Sequence, residues 1–479
     1  MNIPHRTPPT RVHLVTWMDA TEAVIEPMAV DSLNSIEDAR AIAGNQFTGE
    51  MMLERKVMPF GRKMATGVVK LGALVAAGAS VALGAGLAIS GSPLLGLGLA
   101  AAGAGVIHKF GTSLFLRGAG HVYSAMLGRK MAEPAWSGVR TYEVTANTSK
   151  ALDSRLVSEK PLETRRDLPS ISDFLANGMK KYPKEDITVV HMMGHGLGYR
   201  QTAGLPYQEY RTVVDETVQK AGRPIDVLLL ESCLEGNLEA VAGIGDRARF
   251  VLVSQETINA GAVGELLLST TARTTGTTFT PEKWGKTMVE SARVMGGSSQ
   301  PETLALVDTR KLPAVTQALD ELGALLQAEV GSNAEALTAA VKATQLYPKD
   351  WPHRSTGEKL GMGDLGHFCR NLQRVYMGKS ITRKSGLGPF KSQTDVSFPQ
   401  AAASPRAAAI LEAAVKVREL VDEAVVARHT VQRYDEACGL SVQLPTSSLA
   451  RLDKKFMPFA DSAAPPNWQG FVRTMSARV

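Results

Sequence analysis

Short apolar runs, each stopped by an acidic residue, a glycine or a reactive side chain, set the rhythm of this chain. Val12 to Met18 (VHLVTWM) has the length and character of a buried strand and ends at Asp19. A helical pattern follows over residues 23–43. Val139 to Thr145 alternates and predicts a strand. Residues 187–192 and 225–230 are continuous apolar runs that stop at Gly194-His195-Gly196 and Glu231-Ser232-Cys233. Phe250 to Ser254 and Thr303 to Val307 add two more short runs. Between them the pattern predicts helices over 170–181 with Ser170 as N-cap, 207–220, 281–295 with Pro281 in the first turn, and 312–330. Strands alternating with helices predict an α/β fold, a mostly parallel sheet flanked by helices on both faces. The remainder reads as mainly helical, including 407–421, and closes with Gly439 to Pro445 as an edge strand. There is no internal repeat. The resulting divisions are a flexible tail over 1–10, a first strand and helix over 11–50, an insertion over 51–134, a core over 135–310, and a C-terminal part over 311–479 packed on that core.

Two of these runs carry chemistry at their ends. In open α/β sheets, sites form just beyond the carboxyl ends of strands. Adjacent parallel strands would bring His195 and Cys233 to one edge. A thiol near neutral pH needs a base or a positive environment to act as a nucleophile, and His195 supplies one. A helix around residues 237–241 would add its positive end. Glycines at 194, 196 and 198 leave room for a substrate backbone, and the amides of Gly196 and Cys233 are candidate oxyanion donors. A lone cysteine is more often a small buried hydrophobe. The histidine at the neighbouring strand end moves the balance toward catalysis. Cys369, Cys438 and His191 read as structural. Three cysteines make no disulfide framework, and no spacing suggests a zinc site or a nucleic-acid-binding motif.

With these residues in place, the sequence resembles the clostripain-type cysteine peptidases of the caspase-like clan. The resemblance is carried by Leu14 to Ala20, Ile25 to Leu33, the His195 and Cys233 strands, Cys233-Leu-Glu-Gly-Asn-Leu-Glu239, Leu252-Val-Ser-Gln-Glu256, Asp364-Leu-Gly-His-Phe368, the helix over 407–421 and Gly439 to Val442. It implies a caspase-hemoglobinase sheet, a His195–Cys233 dyad without a third carboxylate, and cleavage after basic residues. Where the family carries Asp two positions before the nucleophile, this chain has Glu231, a candidate partner for a substrate cation. Asp19, Glu256 and Glu265 are further candidates for that pocket. The family's aromatic after the histidine is matched only loosely by Tyr199. The resemblance also implies self-cleavage between the two motifs, at Arg200, Arg211, Lys220 or Arg223, and an optional Ca2+; no cofactor is required.

Composition then adds one feature foreign to that picture. Residues 71–108 contain no Asp, Glu, Lys or Arg and are rich in Gly, Ala, Leu and Val. Residues 71–89 are long enough to cross a bilayer, and 94–116 could return. Close-spaced glycines suit helix packing in lipid. Strands before and after the insertion must share one sheet, so the number of crossings is even. Arg55, Lys56, Arg62, Lys63 and Lys70 precede the stretch and Arg117, Arg129 and Lys130 follow it, which places both flanks on the cytoplasmic side. The N-terminus lacks the apolar core of a secretory signal, which predicts a reducing cytosol. The net charge of +6 is mild and its basic residues cluster at this stretch, favouring a lipid surface over nucleic acid. A water-soluble glycine-rich hairpin is the alternative. Two other classes stay open: a membrane-perturbing protein with a regulatory peptidase-like domain, and an inactive scaffold.

Overall fold

The computed structural model describes residues 9–21, 25–56, 136–148, 153–163, 166–258, 262–295, 300–349, 357, 359–385, 392–456 and 458–479. In chain order its strands are β1 (Val12–Ala20), β2 (Phe47–Arg55), β3 (Gly138–Glu143), β4 (Arg155–Lys160), β5 (Ile187–Met193), β6 (Gln201–Thr202), β7 (Leu205–Pro206), β8 (Ile225–Glu231), β9 (Ala248–Val253), β10 (Thr303–Asp308), β11 (Leu346–Tyr347), β12 (Met362–Asp364), β13 (Ile381–Ser385), β14 (Ser392–Val396), β15 (Val425–Thr430) and β16 (Ser441–Gln443). Nine of them form one sheet in the order β15-β10-β9-β8-β5-β1-β2-β3-β4. The five central strands, β9, β8, β5, β1 and β2, are parallel, and antiparallel strands close both sides.

The central strands are buried on both faces, which is why they read as unbroken apolar runs. Alternate side chains serve two cores. Val15, Trp17, Val190, Met192, Leu228 and Leu230 face one side and pack with helices Leu168–Lys181, Tyr207–Ala221 and Leu312–Ala343. Leu14, Met18, Val189, Met193, Val227 and Leu229 face the other, against helices Glu26–Ala43, Ala262–Thr274 and Pro281–Val294.

Several boundaries differ from the expectation, each for a local reason. Helix Leu168–Lys181 is capped by Asp167, whose side chain accepts the Ser170 amide, so Ser170 lies inside the helix. Helix Leu312–Ala343 passes through a break at Asn333 (φ −127°) instead of stopping at Val330. β16 pairs with β12 in a separate three-stranded sheet and is not an edge of the main one. β2 was not expected at all. It lies beside β1 and precedes the apolar insertion, which therefore separates the second and third strands, not the first and second.

Residues 57–135, which include the apolar stretch, lie outside the described residues. Among the described residues no helix is long and apolar enough to cross a membrane. The stem of the insertion is well defined: β2 and β3 are antiparallel, and Arg55 and Gly138 are register partners. Both ends of the insertion thus leave the sheet at one point, on the carboxyl side of the parallel strands.

Candidate active site

Strand register brings the two motifs together. β5 and β8 are parallel with Met193 opposite Glu231, and His195 and Cys233 each lie two residues beyond. The Gly194 amide donates to the Glu231 carbonyl at 3.3 Å. A Cβ on Gly196 would fall 2.0 Å from the Cys233 carbonyl oxygen, and one on Gly194 would fall 2.4 Å from the Ala203 carbonyl carbon. Only glycine permits these approaches, so Gly196 is demanded by backbone contact with the Cys233 loop and Gly194 by contact with the Ala203–Gly204 backbone.

Past Cys233 the chain turns sharply. Leu234 takes a left-handed conformation (φ 66°), and its amide donates to the Glu256 carbonyl at 3.2 Å. Such a conformation costs a non-glycine residue about 1–2 kcal/mol. Asn237 then caps the one-turn helix Leu238–Ala242. His195 and Cys233 are both half-buried. Burial pushes the Cys233 thiol up to about 11, the Ile258 amide opposes this, and the carboxyls of Glu235 and Glu256 reinforce it. Desolvation therefore outweighs the expected pull of the short helix.

The predicted pocket acids are engaged within the chain. Glu231 is 2% exposed, and its Oε2 accepts from His191 Nε2 at 3.1 Å. His191, wholly buried, also meets Thr16 Oγ1 through Nδ1 at 3.4 Å. Glu256 is buried and accepts from the amides of Thr257 and Lys349 and the Tyr434 hydroxyl, all at 2.8 Å. Asp19 accepts from Thr21 Oγ1 at 2.6 Å and from the Arg166 guanidinium at 2.6 Å. Glu265 is exposed in the first turn of its helix. Glu231, Glu256 and Asp19 are therefore buried and hydrogen-bonded within the chain, while Glu265 is exposed. Tyr199 is buried too, with its hydroxyl donating to Gln443 Oε1 at 3.2 Å.

The self-cleavage candidates are likewise held in ordered structure. Arg200 is 3% exposed and pairs with Asp453 at 3.0 Å. Arg211 and Lys220 lie in helix Tyr207–Ala221. Arg223 donates to the Met179 carbonyl and Thr188 Oγ1, both at 2.8 Å. None is in the extended, open segment that a peptidase cleft accepts.

The C-terminal part completes the site's walls. Ser441 donates from its amide and hydroxyl to the Gly236 carbonyl, at 2.7 and 3.0 Å. Asp364, wholly buried, accepts from Gln255 Nε2, the Tyr347 hydroxyl and the Cys438 amide through one oxygen and from the His367 amide through the other. Gln255 in turn accepts from the Gly439 amide at 2.8 Å. The Asp364 and Gly439 motifs therefore support the loop after β9. Among the described residues no group of three or more His, Cys, Asp or Glu side chains is gathered to hold a metal ion.

The parallel-centred α/β sheet brings a cysteine and a histidine to adjoining strand ends, and the match of the chain to a cysteine-peptidase family gives that pair its class. The comparisons narrow it. Residues 165–385, which carry both motifs, match the model of the clostripain family. Two solved structures share the fold at 9% identity. One is a secreted C11 cysteine protease from Bacteroides thetaiotaomicron called iotapain, with a TM-score of 0.51 covering 95% of this chain and 100% of that one. The other is an inactive zymogen C11 protease from Parabacteroides distasonis, with a TM-score of 0.50 covering 94% and 96%. No curated protein matches the chain.

Proposed function

We propose that this peptidase uses Cys233 as nucleophile and His195 as general base. The Met193–Glu231 register, with Gly196 packed on the Cys233 carbonyl, is the observation that carries the assignment. With burial pushing the thiol up to about 11, His195 is proposed to take its proton as sulfur attacks the substrate carbonyl, rather than holding a standing ion pair. The amides of Gly196 and Cys233 stabilise the oxyanion. His195 returns the proton to the leaving amine, giving a thioester. It then deprotonates water, whose attack releases the acid and restores the thiol.

Cleavage after Arg or Lys is part of the proposal. Among the described residues the donors bonded to Glu256 are neutral, and it lies on the loop that contacts Leu234. Glu231 and Asp19 lie at the carboxyl ends of β8 and β1, the strands on either side of β5. Asp19 is already paired with Arg166, so Glu256 and Glu231 are the carboxylates proposed to attract a basic side chain. Hydrolysis of fluorogenic peptides ending in Arg, Lys or a neutral residue, after thiol reduction and with and without Ca2+, tests this. The expectation is hydrolysis of the basic peptides and at least a thousandfold loss in Cys233→Ala and His195→Ala. Undiminished turnover by Cys233→Ala refutes the dyad.

The insertion adds a second element. The stem register of Arg55 with Gly138 requires the chain to leave and return on the same side, which supports a bilayer hairpin with both flanks cytoplasmic. Complete release from membranes by carbonate excludes it. If Cys233→Ala keeps the biological effect while deletion of residues 71–116 removes it, the membrane-perturbing reading replaces the peptidase one.

A further inference from the structure

The histidine is held by more than its own strand. After Gly196 the chain folds into a tight hairpin, β6 and β7, with Thr202 opposite Leu205. Its two central residues, Ala203 (φ 49°) and Gly204 (φ 81°), are both left-handed, the geometry of a type I′ turn. The tip lies against both halves of the dyad. The Gly204 amide donates to the His195 carbonyl at 2.7 Å, and the Ala203 amide donates to Ser232 Oγ at 3.1 Å, one residue before Cys233.

One side chain from outside grips that tip. Arg166 donates from Nη1 to the Gly204 carbonyl at 2.9 Å, from Nη2 to Asp19 Oδ2 at 2.6 Å, and from Nε to Glu54 Oε2 at 3.1 Å. Its guanidinium carbon lies 5.7 Å from the Trp17 ring centre, and Trp17 Nε1 donates to the other Glu54 oxygen at 3.3 Å. The two carboxylates are under 10% exposed. The planar fork thus ties the ends of β1 and β2 to the hairpin, and the hairpin to His195 through a single intervening residue.

We infer that Arg166 is a positioning residue for His195, acting through the Gly204 peptide. The inference rests on the dyad reading. Lysine has one nitrogen where the fork has three in fixed directions, so it keeps the charge and cannot hold all three acceptors. Misplacing a catalytic group by about 1 Å is enough to cost as much as a hundredfold in rate.

The experiment uses the full chain with Arg166→Lys, and Glu54→Gln as a gentler variant that keeps an acceptor for Trp17. Both are compared with wild type for kcat, KM, melting temperature and hydrogen exchange over residues 195–206. For Arg166→Lys the expected result is a kcat lower by roughly ten- to a hundredfold, a KM within about twofold, and faster exchange of the Gly204 amide. Glu54→Gln moves the same quantities less, and it alone decides the matter if Arg166→Lys does not fold. Unchanged kcat and unchanged exchange overturn the inference. So does a raised kcat/KM, which would make Arg166 a plug in a substrate pocket. Absence of any Cys233-dependent hydrolysis in wild type counts against the dyad instead, and the exchange measurement then still decides whether Arg166 holds the His195 loop.

Discussion

The titration of Cys233 gives the sharpest test of how this site works at rest. With the thiol pushed up to about 11, the thiolate fraction at pH 7.5 is about 3 in 10,000, against about 10% for an ordinary thiol near 8.5. That is a deficit of roughly 300-fold. A more basic thiolate is intrinsically more nucleophilic, with a Brønsted slope of about 0.4–0.5, so about 2.5 units of pKa return roughly tenfold. Alkylation of Cys233 should therefore run about 30-fold slower than that of an unperturbed thiol, and its rate should climb tenfold per pH unit until above about pH 10. Pulsed iodoacetamide labelling from pH 6.5 to 10.5, read by peptide mass spectrometry, measures this. Cys369 and Cys438 are buried, their thiols are also pushed up, and they should label only after unfolding, which gives an internal control. A plateau reached by pH 7 would refute the reasoning, because it would mean a preformed thiolate–imidazolium pair in spite of the burial.

Other expectations concern stability. Glu239 is wholly buried, its Oε2 has no hydrogen-bond partner among the described residues, and burial raises its carboxyl to about 7. A raised carboxyl stabilises below its unfolded value near 4.5, and that contribution is lost as pH climbs through 7. Glu239→Gln should therefore flatten the fall in urea midpoint between pH 4.5 and 8, and be the more stable protein at pH 8 by up to about 3 kcal/mol. Asp364→Ala strips four donors of their acceptor and should cost about 3 kcal/mol or more in chemical denaturation, with lower turnover because the Gln255 loop loses its anchor. An equally stable Asp364→Ala protein would contradict the network. Leu234→Gly relieves the left-handed strain but exposes the unfolded chain to more freedom and removes a buried side chain, so a net loss of about 2 kcal/mol is expected by the same assay.

What could be read from the chain beforehand follows the physics of burial. The parallel centre was legible because strands covered on both faces must be apolar throughout. The adjacency of the His195 and Cys233 strands was legible because each apolar run stops at a reactive side chain, and β5 and β8 pair in parallel. β2 was hidden by Glu50, Glu54 and Arg55. Glu54 is tolerated inside only because Arg166, far along the chain, meets it. β4 was hidden for the opposite reason, since all six of its residues are exposed. The fate of Asp19, Glu231 and Glu256 was illegible because satisfaction of a buried carboxylate is a tertiary property. The β6–β7 turn was passed over because Ala203 is not a usual left-handed residue. His191 read correctly as structural.

The stem of the insertion has a practical meaning for handling the protein. Arg55 and Gly138 face each other across an antiparallel pair, the arrangement that a two-residue turn closes in ordinary hairpins. Residues 56–137 can accordingly be replaced by Asn-Gly without asking either strand to move. The shortened chain keeps every residue of the nine-stranded sheet and of the catalytic edge. It separates the chemistry of the peptidase from whatever the apolar stretch contributes, and offers a form suited to crystallisation and to kinetics free of detergent.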